Sequence, residues 1–194
     1  TNEVMRSSAL LGMALRLAER LKMPLALYEI GASAGLNLAF DTYHYALGDD
    51  REWGDSNALV NIESEWRGHV PSLDVELEIA SRQGCDRNPL DPHAPESVER
   101  QLAYIWADQH NRIGRVSAAL SAAASRPYKA AKDRISQAFE QAGANATAET
   151  PLVWMYMEAE GHAAGAVLKQ TVWPGGEKET VGLSDYHGRW VDWT

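Results

Sequence analysis

The sequence predicts an α/β fold: a doubly wound sheet with helices on both faces. Three observations predict it. An amphipathic helix leads into a short apolar run, Leu25-Ala26-Leu27-Tyr28-Glu29-Ile30. That run enters a small-residue turn, Gly31-Ala32-Ser33-Ala34-Gly35. Leu36-Asn37-Leu38-Ala39-Phe40 then reads as the start of a helix. Strand, small-residue turn and helix open a doubly wound sheet. A β-rich insertion after this first βα unit and an antiparallel C-terminal hairpin complete the expected fold.

The elements follow in order. Leu10, Met13, Ala14, Leu17, Ala18 and Leu21 fall at helical spacing, with Arg16, Glu19 and Arg20 opposite. Lys22, Met23 and Pro24 end this helix, because Pro24 cannot continue its hydrogen bonding. The run 25–30 is nearly continuous in apolar residues, as a strand buried on both faces requires. Residues 41–73 mix Tyr43, Tyr45, Trp53, Gly54, Trp66 and Gly68, and read as the β-rich insertion. Val75, Leu77 and Ile79 alternate with Glu76, Glu78 and Ala80, which predicts a strand. It leads to Gly84-Cys85-Asp86-Arg87-Asn88-Pro89-Leu90-Asp91.

Pro95 suits a first helical position. Val98, Leu102, Ile105, Ile113, Val116 and Leu120 hold one face of the long helical stretch that follows, with an interruption at Trp106-Ala107-Asp108-Gln109. A further helix is expected from Ala130 to Ala142, with Ile135, Ala138 and Phe139 inward and Gly143 as its cap. The last third is β-rich. Pro151 to Glu158 is one strand, and Val167 to Trp173 and Glu179 to Leu183 flank a hairpin turn at Pro174-Gly175-Gly176. This reading leaves about five strands. None lies between Ala124 and Leu152, where a doubly wound sheet needs its third and fourth.

Composition narrows the function classes. The 194 residues fit a single domain, 1–194, and 45% apolar content supports a proper core. A net charge of −9 argues against nucleic acid and against anionic lipid as partners. The single cysteine, Cys85, excludes an internal disulfide and a multi-cysteine metal site, which points to the cytoplasm. No apolar run approaches the roughly 18 residues that span a bilayer. The chain begins at Thr1 rather than Met, as a processed chain or a fragment does.

The densest motif is Glu29-x-Gly31-x-Ser33-x-Gly35 at a strand end. Glycines there allow a tight turn and close approach of a ligand, and a following helix offers free N–H groups. The pattern resembles the first motif of class I S-adenosylmethionine (SAM)-dependent methyltransferases, acidic-x-Gly-x-Gly-x-Gly, with Ser33 in place of the middle glycine. Asp86 ends the second expected strand, where an acidic residue bonds ribose hydroxyls in such folds. It lies 51 positions after Gly35, against the usual gap of about 20, so residues 41–73 must be inserted. Alternatively, Asp86 caps a turn before Asn88-Pro89. The same five residues, 31–35, also match Gly-x-Ser-x-Gly, the nucleophile elbow of serine hydrolases. Ser33, then Glu158 or Asp86, then His187 would be the triad order. Position argues against it, because an elbow follows several strands and only one helix precedes Ser33.

Several segments together carry a wider resemblance. They are Thr1-Asn2-Glu3-Val4, Glu29 to Leu38, Gly84 to Asp91, Trp106 to Gln109, Trp173 to Gly176 and His187 to Val191. In this order they resemble an uncharacterised bacterial family, domain of unknown function 2332, across essentially the whole chain. The resemblance implies a Rossmann-like, SAM-methyltransferase-type sheet and SAM as cofactor, with a small molecule as substrate. It implies a cofactor site made by Glu29, Gly31, Ala32, Ser33, Gly35, Leu36 and Asn37, and by Cys85, Asp86 and Asn88. It also implies that an N-terminal region and a segment near Pro127 and Tyr128 are missing here, since family members carry further strands and a histidine-and-aromatic motif there.

Methyl transfer needs alignment, and a base where the acceptor is protonated. His187 and Glu158 are candidate bases, set against a packed histidine and a strand-end charge. Asp108 and Gln109 follow Trp106, which either stacks on a ligand or packs in the core. Asp91 and His93 form Asp-x-His, two ligands without a third and so poor evidence for a metal. Thr1, Asn2, Glu3 and Arg6 either cap the first helix or approach the ligand.

Overall fold

A computed structural model of the chain describes residues 3–66, 70–86 and 88–126, and the strand backbones at 130–132, 152–160, 163–171, 178–181, 183–184 and 190–191. It is a mixed α/β structure of two units. One comprises Thr1–Ser64 and Pro71–Ile135, the other Glu65–Val70 and Ser136–Thr194.

In the first unit a 3-10 turn, Val4–Arg6, leads into α1, Ser7–Leu21. Lys22 ends α1 in the left-handed region (φ 52°), and its N–H returns to Ala18 O at 2.9 Å. Pro24 then has no N–H to offer, so the chain leaves the helix extended. Leu11 and Leu15 are fully buried, and of the predicted stripe Leu10, Met13, Ala14, Leu17 and Ala18 are buried while Leu21 is half-buried, so α1 is core around most of its circumference.

Strand β1, Leu25–Ile30, follows as expected. It is not buried on both faces. Leu25, Leu27, Tyr28 and Glu29 are half-buried and Ala26 is exposed, because burial on both faces needs covering helices on both sides. The expected α-helix after the 31–35 turn is a six-residue 3-10 helix, Asn37–Thr42. The reason lies in side chains that take its carbonyls. Tyr43 Oη donates to Leu36 O at 2.5 Å and Tyr45 Oη to Phe40 O at 2.6 Å. Arg82 donates to Leu38 O at 2.9 Å and pairs with Asp41. The backbone closes 3-10 bonds instead, Ala39 N to Leu36 O and Tyr43 N to Phe40 O, both at 3.3 Å.

A small mixed sheet lies within residues 41–73. Strand β2, His44–Ala46, pairs antiparallel with β3, Glu52–Trp53, and parallel with β4, Asn61–Glu63. Tyr45 on β2 and Ile62 on β4 are fully buried. Gly54 sits at φ +94°, and a Cβ there would strike the Tyr43 carbonyl oxygen. Gly54→Ala is therefore expected to destabilise the chain by at least about 2 kcal/mol, lowering Tm by about 5 °C in a thermal melt. An unchanged Tm would contradict this packing.

Strand β5, Ile79–Asp86, pairs in parallel with β1, from Leu25↔Ile79 to Ile30↔Cys85. The strand was expected from Val75. Burial does alternate there, with Val75 and Leu77 half-buried and Glu76 and Glu78 exposed. Pairing starts only at Ile79 because its partner strand starts at Leu25; Leu25 N already bonds Glu78 O.

Helix α2, Pro95–Ala103, has Pro95 in its first turn, and α3 spans His110–Ala124. The break between them falls where it was expected. A third parallel strand, β6, Ala130–Lys132, adds to β5 through Gly84↔Ala130 to Asp86↔Lys132. This overturns the expected helix start at Ala130 and supplies a strand where none was expected. Pairing with the open edge of β5 outweighs the helix preference of an Ala-Ala-Lys triplet. Residues 133–142 of that helix lie outside the described residues.

In the second unit β7, Leu152–Glu160, β8, Ala163–Thr171, and β9, Lys178–Val181, form an antiparallel sheet. The Thr171↔Lys178 pair brackets the predicted hairpin turn, whose Pro174-Gly175-Gly176 lies outside the described residues. Strands β10, Leu183–Ser184, and β11, Trp190–Val191, pair antiparallel. Among the described residues no helix is long and apolar enough to cross a membrane.

Candidate functional site

Parallel pairing aligns the C-terminal ends of β1 and β5, so the turns that leave them are neighbours. In open α/β sheets ligands bind at such strand ends. The first turn bends through three left-handed residues, Gly31 (φ 71°), Ser33 (φ 53°) and Gly35 (φ 68°). Gly35 N closes it on Ala32 O at 2.7 Å. Among the described residues, a Cβ placed on Gly31 would meet no atom within 4 Å, so they leave space beside that backbone.

The second turn is laced to the first through Asp86. Its Oδ2 accepts from Ser33 N at 2.8 Å and its Oδ1 from Asn88 N at 2.9 Å. Leu90 N donates to Ser33 O at 3.2 Å. Asp86 therefore does cap the turn before Asn88-Pro89. Each of its oxygens has accepted one N–H and retains a lone pair. Ser33 Oγ donates to Gln101 Oε1 at 3.0 Å, and Gln101 is almost fully buried on α2. Sequence reading did not single out Gln101; as a polar residue in a helix it carries no pattern of its own.

Glu29, next to last in β1, is the charged centre of the site. Asn37 Nδ2 approaches its Oε1 at 3.4 Å, and Ser7 Oγ donates to Asn37 Oδ1 at 3.2 Å. Glu29 Oε2 is buried and has no hydrogen-bond partner among the described residues. Burial pushes the Glu29 carboxyl up to about 7; the Asn37 bond and the Arg6 charge oppose the rise and the Asp86 charge adds to it. At neutral pH this group is poised to ionise when a cation arrives.

The other predicted residues fall as follows. The Ala32 and Leu36 side chains are in the core, and Asn37 is buried beside Glu29. Cys85 is placed by its backbone opposite Ile30, and its side chain lies outside what is described. Asp108 and Gln109 are exposed in the link between α2 and α3, and Trp106 there is 77% exposed rather than core. Glu158 is placed only by its backbone in β7, opposite Gly165. His187, Thr1 and Asn2 lie outside the described residues. Glu3 caps the first 3-10 turn by accepting from Met5 N at 2.9 Å, and pairs with Arg112 and Arg115 of α3 at 3.0 and 3.7 Å. Asp91 Oδ1 bonds both His93 N and His93 Nδ1 at 2.9 Å, which is a local turn. Among the described residues no three His, Cys, Asp or Glu side chains are grouped to hold a metal.

The small parallel sheet thus carries a glycine-bearing turn at the end of β1 and an acidic residue, Asp86, at the end of β5. The model of one family, described as "Uncharacterized protein conserved in bacteria", domain of unknown function 2332, matches residues 1–131 and 128–193. The chain belongs to that family. No curated protein and no solved structure matches it.

Proposed function

We propose that this chain binds SAM at the ends of β1 and β5 and is a SAM-dependent methyltransferase acting on a small molecule. The observation that carries the reading is Glu29: a buried carboxyl with an oxygen that has no partner among the described residues, close in sequence to the open face of Gly31. SAM is a cation with an α-ammonium group, and such a group satisfies this oxygen and keeps it ionised. The turn from Gly31 to Asn37 holds the methionine part. The remaining Asp86 lone pairs accept the ribose hydroxyls, with Cys85 and Asn88 beside them in sequence. When bound, SAM supplies an electrophilic methyl group. The chain's own task is then to orient the acceptor and to take its proton, for which His187, Glu158 and Asp108 are the candidates.

One observation favours a second reading, a protein of this class that binds a nucleoside without catalysis. The family match falls in two stretches that meet at 128–131, where a segment bearing further site groups is expected. The hydrolase reading is disfavoured because Ser33 Oγ directs its proton at an amide oxygen rather than at a base.

Calorimetric titration with SAM and with S-adenosylhomocysteine tests the proposal. Saturable binding of both, with methyl loss from SAM in the presence of small-molecule acceptors, is the expected result. Binding without turnover selects the second reading, and no binding of either ligand removes both.

A further inference from the structure

Ser33 carries a side chain at a left-handed position, a conformation that costs free energy for any residue but glycine. Among the described residues, bonds to its N–H, its carbonyl and its hydroxyl hold it there. Its N–H goes to Asp86, its carbonyl receives Leu90 N, and its hydroxyl goes to Gln101. Asp86 and Leu90 would hold a glycine equally well, because they bond only the backbone. Gln101 is the one of the three that addresses the side chain. It is 1% exposed, on a separate helix, 68 residues away in sequence.

We propose that Gln101 is a positioning residue for the cofactor turn. It fixes Ser33 in the left-handed conformation and so keeps the open face of Gly31 turned to the ligand. This inference rests on the SAM reading above. In physical terms the chain replaces glycine's freedom at this position with a serine locked by a buried amide. Losing the bond to that amide weakens the hold on the side chain and lets the turn relax away from φ 53°.

A double-mutant cycle tests it: wild type, Gln101→Leu, Ser33→Gly and the two combined, each read by S-adenosylhomocysteine titration and by thermal melting. With Ser33 present, Gln101→Leu is expected to weaken binding about tenfold; with Ser33→Gly, the same change alters binding by less than about twofold, because glycine holds the turn unaided. A merely structural Gln101 predicts equal losses in both backgrounds, and that result overturns the proposal. So does unchanged binding in Gln101→Leu alone. If wild type binds no ligand, the SAM reading fails and takes the positioning role with it, while the Tm cycle still reports the bond itself. Should Gln101→Leu not fold, Gln101→Met replaces it; failure of both even in the Ser33→Gly background, where the hydroxyl is gone, also overturns the proposal.

Discussion

Glu29→Gln is expected to raise Tm at pH 8, leave it nearly unchanged at pH 4, and weaken S-adenosylhomocysteine binding. The folded carboxyl titrates at about 7 against 4.5 when unfolded, because burial disfavours its charge. Between those values the folded state binds more protons than the unfolded one, so stability falls as pH rises through this window. Below pH 4.5 both states are protonated and the effect vanishes. Above about 7 the full penalty applies, on the order of 2–3 kcal/mol. Glutamine has nearly the same shape and no charge to desolvate. Its melt at pH 8 should exceed wild type by about 5 °C. An equal Tm at pH 8 would mean that the carboxylate has a partner in the free protein. The ligand experiment runs the opposite way. A cation on Oε2 favours the ionised form, so binding expels a proton. Wild-type affinity should rise about tenfold from pH 6 to pH 8. Glu29→Gln should lose that slope and bind about 10- to 100-fold more weakly at pH 8. A residue that lowers stability and raises affinity is the usual mark of a binding site.

The parts of the fold that were legible share one property: their signal is local. Pro24 and Pro95 mark a helix end and a helix start wherever they occur. The 31–35 turn reads from its small residues, and Asp86 falls at the end of its strand as expected. What was not legible depends on distant partners. Nothing near Leu36 announces that Tyr43, Tyr45 and Arg82 will claim the carbonyls and halt an α-helix. Ala130-Ala131-Lys132 favours a helix until the edge of β5 is available. The start of β5 was missed for the same reason, since alternation sets the exposed face while the partner sets the first bond. The site divides likewise. Glu29, Ser33 and Asp86 stand out in a motif, but Gln101 becomes visible only when α2 brings it to Ser33.

Asp86→Ala is expected to remove nucleoside binding and to lower stability by about 2 kcal/mol, a fall in Tm of about 6 °C. The stability loss follows from the two backbone N–H groups, of Ser33 and Asn88, that share its carboxylate. Water replaces the exposed bond at little cost, so the part-buried Ser33 bond carries most of the effect. Asp86→Asn is no gentler, because its amide must turn a donor toward one of two donors. Ligand binding separates this role from that of Glu29. Methylthioadenosine keeps the ribose and lacks the α-ammonium group of S-adenosylhomocysteine. Glu29→Gln should leave methylthioadenosine binding nearly unchanged, whereas Asp86→Ala should weaken both ligands by roughly 100-fold. Asp86→Ala also removes a charge that raises the Glu29 carboxyl, so whatever pH dependence survives should move to lower pH. If Asp86→Ala lowers Tm yet leaves methylthioadenosine binding intact, its carboxylate serves the turn alone and the ribose lies elsewhere. If both ligands lose affinity by the same factor in both variants, the ammonium and ribose assignments collapse into one general loosening of the turn. Only the crossed pattern assigns Glu29 to the cation and Asp86 to the sugar.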